Sequence, residues 1–178
     1  MPTNLELKVR CTAGEMRLVR EAATAAGLGP FASIVHRDTY FHAPRGRLKL
    51  RELRHENGTE LAELIGYCRE DRAEARWSRY TRAELPVSSV EEVRQALGAT
   101  LGVMRVVDKV REIGIWRRTR IHLDEVKELG FFVELETVTE NAEDSSAAKE
   151  LIDVVRVLGL DVFEVVSGSY GEIPASGN

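Results

Sequence analysis

FFVELETV, residues 131–138, alternates between two kinds of side chain in a way that decides the fold class. Val133 and Leu135 fall on one face of an extended chain. Glu134 and Glu136 fall on the opposite face, about 6.6 Å apart. Two like charges this close either face water on a half-buried sheet or hold a cation between them. The alternation predicts a β-strand in both cases.

The composition is typical of a globular protein with no global attraction to nucleic acid or membranes. The chain has 178 residues, of which 43% are hydrophobic, so we expect a single domain over residues 1–178. Its 25 Lys and Arg stand against 29 Asp and Glu, and the net charge of −4 argues against nucleic-acid and anionic-membrane partners. No apolar run reaches the roughly 20 residues of a membrane span. Cys11 and Cys68 show no disulfide or metal spacing, and we expect a cytoplasmic protein.

Other stretches of the chain also have the composition or alternation of strands. They are residues 4–11, 33–43, 47–53, 60–70, 77–85, 103–116 and 118–126. Short turns separate the last two of these from one another and from residues 131–139, which is typical of an antiparallel meander. Residues 162–170 predict a short final strand or an extended tail.

Three segments have the apolar spacing of amphipathic helices. Residues 14–27 form the first, and residues 142–159 form the last, with Gly159 as its cap. The second follows Ser89, which with Glu92 predicts a capping box. Because the elements do not repeat as βαβ units, the order favours an α+β fold with a large antiparallel sheet of about eight strands.

Charged residues recur on one face of several predicted strands, opposite Leu, Val and Ile. The sets are Glu6, Lys8 and Arg10; Arg47, Lys49 and Arg51; Lys109 and Arg111; Arg118 and Arg120; and Glu134 and Glu136. For any one strand, a solvated face is a sufficient explanation. A strongly twisted sheet of about eight strands tends to curl or close, however, and helices over its apolar face would enclose the charged one.

An enclosed face of mixed charge must be hydrated or occupied, because unpaired buried charges are costly. Alternating Arg and Lys suit phosphate oxygens, and carboxylates two positions apart suit Mg²⁺ or Mn²⁺. The pattern therefore favours a polyphosphate with a divalent metal. The four histidines show no ligand spacing and are interpreted as ordinary surface or core residues; they are His36, His42, His55 and His122.

Seven stretches, in order, resemble the CYTH superfamily of triphosphate tunnel metalloenzymes, especially its branch similar to class IV adenylate cyclases. They are NLELKVR (4–10), HRDTYFHAPRGRLKLRE (36–52), ELIGYCRED (63–71), RWSRYTRAEL (76–85), VDKVRE (107–112), TRIHLDEVKELGFFVELE (119–136) and SGSY (167–170). The resemblance covers nearly the whole chain, and it implies a closed antiparallel barrel of about eight strands around an open tunnel, with helices packed outside.

The resemblance also implies roles for particular residues. Metal ligands are expected at Glu6, Asp124, Glu134 and Glu136. Triphosphate contacts are expected at Lys8, Lys49, Arg51, Arg69, Arg79, Lys109 and Arg111. Catalytic roles are expected at Lys8 and Asp124. One position departs from the family signature Glu-x-Glu-x-Lys, because Asn4 stands where the first Glu is usual; its amide brings no charge to a second metal.

Three functions are left open by this resemblance. The first is a cyclase with Mg²⁺ or Mn²⁺ that converts ATP to cyclic AMP and pyrophosphate. The second is a triphosphatase acting on thiamine triphosphate, a nucleoside triphosphate or tripolyphosphate, and the third is a non-catalytic binding module. The expected partner is a small-molecule triphosphate, and a homodimer paired through an edge strand is considered.

Overall fold

The computed structural model describes residues 3–69, 74–140 and 144–174. Within these ranges the chain forms eight strands and three α-helices. The strands are β1 (Thr3–Cys11), β2 (Ala32–Phe41), β3 (Arg47–His55), β4 (Glu60–Arg69), β5 (Arg76–Leu85), β6 (Val103–Trp116), β7 (Thr119–Val126) and β8 (Gly130–Thr139). The helices are α1 (Ala13–Ala25), α2 (Val90–Leu101) and α3 (Ser145–Leu158), and 3-10 turns lie at Val87–Ser89 and Leu160–Val162.

The strands close into an antiparallel barrel in the order β1-β5-β4-β3-β2-β6-β7-β8. The prediction of an α+β fold with a closed barrel of about eight strands is therefore confirmed. Closure turns one face of the sheet into a lumen, because successive side chains of each strand point to opposite faces. Each of the eight strands has a hydrogen-bonded neighbour on both sides, and the homodimer considered from the sequence stays a prediction.

The apolar face of β1, β7 and β8 points outward and is covered by α1 and α3. Leu5, Val9, Ile121, Val133 and Leu135 are buried there. The two helices cover this face with a matching stripe of apolar side chains. That stripe consists of Met16, Val19 and Ala23 from α1 and Leu151, Val154 and Leu158 from α3. The main core therefore lies outside the barrel, as expected if helices enclose a charged lumen.

The ends of α1 and α3 follow from local chemistry. Thr12 caps α1 in a reciprocal capping box with Glu15, so the helix begins before the predicted residue 14. Asp144 caps α3 by accepting hydrogen bonds from the amides of Ser146 and Ala147. Gly159 ends α3 with φ 62°, a left-handed conformation that glycine adopts without strain.

Helix α2 covers the outer face of β2, β3 and β4, where it packs near Phe41, Leu50 and Ala62. The predicted capping box at its start is wrong. Ser89 ends a 3-10 turn with φ −98° and ψ 0°, and its side chain makes no capping hydrogen bond. A capping side chain needs an extended backbone, which the turn does not provide.

The C-terminal segment, defined here as residues 163–174, is an extended tail rather than a ninth strand in the described part of the chain. It pairs with β1 through a single bridge from Val165 to Val9 and through hydrogen bonds at Lys8 and Arg10. From there it turns beneath the barrel and buries Tyr170 and Ile173. Among the described helices, none is long and apolar enough to cross a membrane.

We predict that truncation of Leu151 destabilises the protein far more than truncation of its neighbour Ile152. Leu151 is 2% exposed between α3 and the barrel, whereas Ile152 on the same helix is 48% exposed. Leu151→Ala should lower the free energy of unfolding by about 2–5 kcal/mol, and Ile152→Ala by less than about 1 kcal/mol. Urea denaturation measures both, and equal losses would show that α3 does not pack on the barrel as described.

Candidate active site

A polar cavity of about 130 Å³ occupies the barrel lumen. Seven basic residues line it: Lys8, Lys49, Arg51, Arg82, Lys109, Arg111 and Arg120. Four acidic residues line it too: Glu6, Glu63, Glu134 and Glu136. The register of the strands explains this convergence, because Lys8 lies opposite Glu134 and Glu6 lies opposite Glu136 on β1 and β8. The charged face identified in the sequence is therefore an interior.

Most of the residues predicted for the site meet in this cavity, but Arg79 and Asp124 do not. Arg79 is exposed, because the inward positions of β5 are Ser78, Tyr80 and Arg82. Asp124 is fully buried behind the cavity wall rather than in its lining. The side chain of Arg69 lies outside the described part of the structure.

A buried aspartate holds each of two basic pairs. On β2, Asp38 accepts two hydrogen bonds from Arg51, each 2.7 Å long, and one of 3.1 Å from Lys49. On β7, Asp124 repeats this arrangement with two bonds of 2.6 Å from Arg111 and one of 3.2 Å from Lys109. Both aspartates have no exposed surface. The bidentate contacts fix the guanidinium planes, so the role of these aspartates is to position cations.

These contacts shift the pKa of the groups involved. Burial raises the pKa of Asp38, but Arg51 and Lys49 outweigh it and hold the pKa well below its usual range. Burial, Arg51 and Arg111 together lower the pKa of Lys49 to about 8, despite the opposing effect of Asp38. Burial and the neighbouring Arg111 similarly lower the pKa of Lys109 to about 7. The cavity therefore keeps its carboxylates ionised while it disfavours additional positive charge.

Glu134 lies at the junction of the basic and acidic residues. Its two oxygens contact Lys8 at 3.2 Å and Arg111 at 2.8 Å. Burial opposes its ionisation, but Lys8, His122 and Arg111 together hold its pKa well below the usual value. Glu136 contacts Arg120 at 3.6 Å. Glu134 thus remains a carboxylate that can bind a cation.

Among the described residues, one group of three has side chains suited to binding a metal ion. The ligand atoms of His122, Glu134 and Glu136 lie within 4.8 Å of one another. Burial and then Arg111 lower the pKa of His122, which favours the neutral ring that a metal requires. The Nδ1 atom of His122 is buried and has no hydrogen-bond partner in the described structure. Two carboxylates and one unpartnered ring nitrogen together fit a divalent metal.

Asn4, the departure from the family signature, faces the same cavity. It is 4% exposed, and its Oδ1 atom makes no hydrogen bond to any described residue. A buried amide oxygen without a partner can accept a water or ligate a metal. Asn4 therefore offers an oxygen ligand that lacks the charge of the usual glutamate.

The C-terminal segment supplies Ser169 and Tyr170 to the lining of the lumen. The hydroxyl group of Tyr170 donates a 2.7 Å hydrogen bond to Asp124, and its ring packs edge-on against Phe132. Lys8 Nζ lies 3.9 Å from the centre of the Tyr170 ring. Gly171 is required nearby, because a Cβ atom there would lie 2.8 Å from Tyr40. Tyr170 therefore forms part of the wall of the lumen.

Some residues of the site were not predicted from the sequence. Asp38 falls on the same strand face as Tyr40, so its alternation with Tyr40 within the second family stretch, residues 36–52, was an available signal. The pairing of His122 with Glu134 depends on the register of β7 and β8, which spacing along the chain does not reveal. Tyr170 reaches the lumen from the C-terminal segment, whose sequence shows no regular alternation of apolar and polar residues.

The fold and site together define a barrel protein whose lumen is lined by basic and acidic side chains. The sequence profile of the CYTH domain matches residues 2–170, so the chain belongs to the CYTH domain family. Its predicted membership is confirmed. None of the curated proteins compared with the chain matched it.

Three solved structures show how widely this fold is shared. The PH1819 protein of Pyrococcus horikoshii OT3 is 26% identical with a TM-score of 0.72, over 94% of this chain and 95% of that one. The PH1012 protein of the same organism is 23% identical with a TM-score of 0.73, over 95% and 98%. A Vibrio parahaemolyticus protein provisionally named an adenylate cyclase is 18% identical with a TM-score of 0.64, over 95% of each chain.

We predict that Asp38→Asn lowers the free energy of unfolding at pH 7 by about 3–5 kcal/mol, because Arg51 and Lys49 lose their buried counter-charge. The ionised Asp38 contributes stability above the ordinary carboxyl pKa of about 4, and this contribution is lost as the pH falls below it. The variant should therefore lose less stability on acidification than the wild-type protein. Urea denaturation between pH 7 and pH 3 measures both effects.

Asp108→Asn is the matched control for Asp38→Asn. Asp108 forms an exposed ion pair with Arg37 at 3.4 Å, so its loss should change stability by less than about 1 kcal/mol. An Asp38 variant as stable as this control at pH 7 would contradict the positioning role.

Proposed function

We propose that this CYTH protein is a divalent-metal-dependent enzyme that acts on triphosphates, with a cyclase reaction on ATP as the leading activity. The observation that carries the proposal is the convergence of two aspartate-held Lys and Arg pairs with Glu134 and Glu136 in one cavity. Polyphosphate and metal together satisfy both signs of charge. Neither alone would do so.

The basic residues are suited to hold the phosphate chain. Arg51 uses two of its five N–H donors on Asp38, which leaves others for phosphate oxygens. Lys49 and Lys109 lie next to the two arginines on their strands and add point charges. Because Asp38 and Asp124 lie behind the cavity wall, they hold these cations without blocking the side that a ligand approaches.

One wall of the cavity favours a nucleotide over a bare polyphosphate. Ile65, Tyr67 and Tyr80 line the cavity on β4 and β5 beside the basic residues. Tyr67 and Tyr80 are directly opposite one another in the strand register. Aromatic and aliphatic side chains of this kind can pack against a base. This wall is the reason for ranking ATP first.

In the cyclase reaction, the ribose 3′-hydroxyl gives its proton to water and its oxygen forms a bond to the α-phosphorus, while the bond from that phosphorus to the oxygen bridging the α- and β-phosphates breaks. Pyrophosphate leaves, and Arg51 and Arg111 stabilise its charge. Glu6, Glu134 and Glu136 would hold a bound Mg²⁺ or Mn²⁺, which would supply Lewis acidity toward the phosphate oxygens. Lys8, beside Glu134, is suited to contact the phosphates. Asp124 acts by orienting Arg111 and Lys109.

The triphosphatase reaction is the second candidate, and the same basic residues support it. A water would attack the terminal phosphorus, and the aromatic wall would not be needed. The charge of the cavity does not distinguish these reactions, because both require the same bound phosphate chain.

Product analysis distinguishes these possibilities. The full chain should be incubated with ATP, thiamine triphosphate or tripolyphosphate and Mg²⁺ or Mn²⁺, with products separated by chromatography. Cyclic AMP with pyrophosphate is the expected result with ATP. ADP with phosphate would replace the cyclase by the triphosphatase, and the absence of turnover with all three substrates would overturn the enzymatic proposal.

We predict that Arg51→Ala weakens tripolyphosphate binding about 10- to 100-fold, because a charged hydrogen-bond donor is lost from the cavity. Arg54→Ala is the matched control: Arg54 lies three residues later on β3 and is exposed on the opposite face, so affinity should not change. Calorimetric titration measures both, with circular dichroism to confirm folding. Equal affinities in the two variants would place the ligand outside the lumen.

A further inference from the structure

His122 is a buried side chain to which the sequence assigned no function. It is 2% exposed on β7, in register with Glu134 of β8. We propose that His122 is a nitrogen ligand of the metal bound by Glu134 and Glu136, and that this site prefers Mn²⁺, Co²⁺ or Zn²⁺ to Mg²⁺. The proposal rests on the proposed function for the presence of a metal, and it adds the identity of a ligand and the class of ion.

The geometry of the three side chains carries this inference. His122 Nδ1 lies 3.7 Å from Glu134 Oε2 and 3.9 Å from Glu136 Oε1. Ligand atoms about 2.0–2.2 Å from a shared metal are separated by roughly 3.0–3.5 Å in octahedral or tetrahedral geometry. The three atoms lie within 4.8 Å of one another, so a contraction of at most about 1–2 Å would bring all of them onto one ion. As they stand, the atoms are too far apart for hydrogen bonds.

The lack of a partner at Nδ1 is a second, independent observation. A buried ring nitrogen without a hydrogen bond costs free energy unless something else satisfies it. His36 provides a comparison, because both of its ring nitrogens are also buried without partners in the described structure. His36, however, is not part of a metal-ligating group. The nearby carboxylates are what give His122 the chemistry of a ligand.

The ligand type determines which metal the site selects. Mg²⁺ prefers oxygen ligands and retains water, whereas imidazole nitrogen suits later divalent ions. Two carboxylates and one imidazole form a mixed set that Mn²⁺, Co²⁺ and Zn²⁺ accept readily. Asn4 strengthens this preference, because an amide in place of a glutamate reduces the negative charge available to a hard cation.

Pulsed electron paramagnetic resonance of Mn²⁺ bound to the wild-type protein tests the ligand directly. The spectrum should show coupling to one directly bound nitrogen, and the coupling should change when histidine is labelled with ¹⁵N. Bound Mn²⁺ without nitrogen coupling would overturn the proposal. This measurement requires no substitution, so it does not depend on whether a variant folds.

A pair of variants tests the selectivity. His122→Phe keeps an aromatic ring but removes the nitrogen, and it should weaken Mn²⁺ and Zn²⁺ binding at least about 10-fold while changing Mg²⁺ binding much less. His36→Phe is the matched control, a buried histidine of the same barrel, and it should bind all three ions as the wild type does. Unchanged Mn²⁺ affinity in His122→Phe, or an equal loss for Mg²⁺, would contradict the inference.

The two sets of measurements separate failure of this inference from failure of the proposed function. Turnover of triphosphates with Mn²⁺ but without nitrogen coupling would overturn the role of His122 and leave the enzyme proposal intact. Nitrogen-coupled Mn²⁺ without turnover of any triphosphate would support the role of His122 and reject the enzyme.

Discussion

Enclosing charge inside a closed barrel is the constraint on which this structure depends. Side chains that would each be solvated on an open sheet must find partners once the sheet closes, because ions removed from water are costly. The protein meets this demand strand by strand. Lys49 and Arg51 of β3 pair with Asp38 of β2, and Lys109 and Arg111 of β6 pair with Asp124 of β7. Each cationic strand therefore lies beside a strand that compensates it.

The sequence predicted the fold because every strand face obeys one rule. The apolar face of FFVELETV must be buried against helices, and its charged side chains are then enclosed. The same pattern in β1, β3 and β6 favoured a closed barrel over an open sheet. Positions where the local sequence pattern and the surrounding structure favour different conformations were harder to predict. The start of α2 is set by a 3-10 turn that places Ser89 in a helical conformation, which overrides its cap-like sequence.

Prediction of the site was limited by information that alternation along one strand does not contain. In β5, arginines recur every third residue at Arg76, Arg79 and Arg82, so they cannot all share a face, and the resemblance selected one that points outward. Asp38 and His122 act through residues on neighbouring strands, and only the register reveals those partners. Tyr170 arrives from an irregular tail. The residue types that line the site were therefore predictable from the sequence, whereas the side chains that they contact were not.

The lowered pKa values of Lys49 and Lys109 show how the site can be stable without a ligand and still favour an anion. Near neutral pH the cavity is close to releasing protons from both lysines, which limits repulsion among its cations. A phosphate chain would favour the protonated lysines, because an anion stabilises positive charge nearby. When no anion is bound, Asp38 and Asp124 hold Arg51 and Arg111 in place. Asp38 and Asp124 therefore hold the guanidinium groups in place, while Lys49 and Lys109 change the net charge of the cavity by gaining or losing protons. The same cavity can thus exist with or without a bound anion.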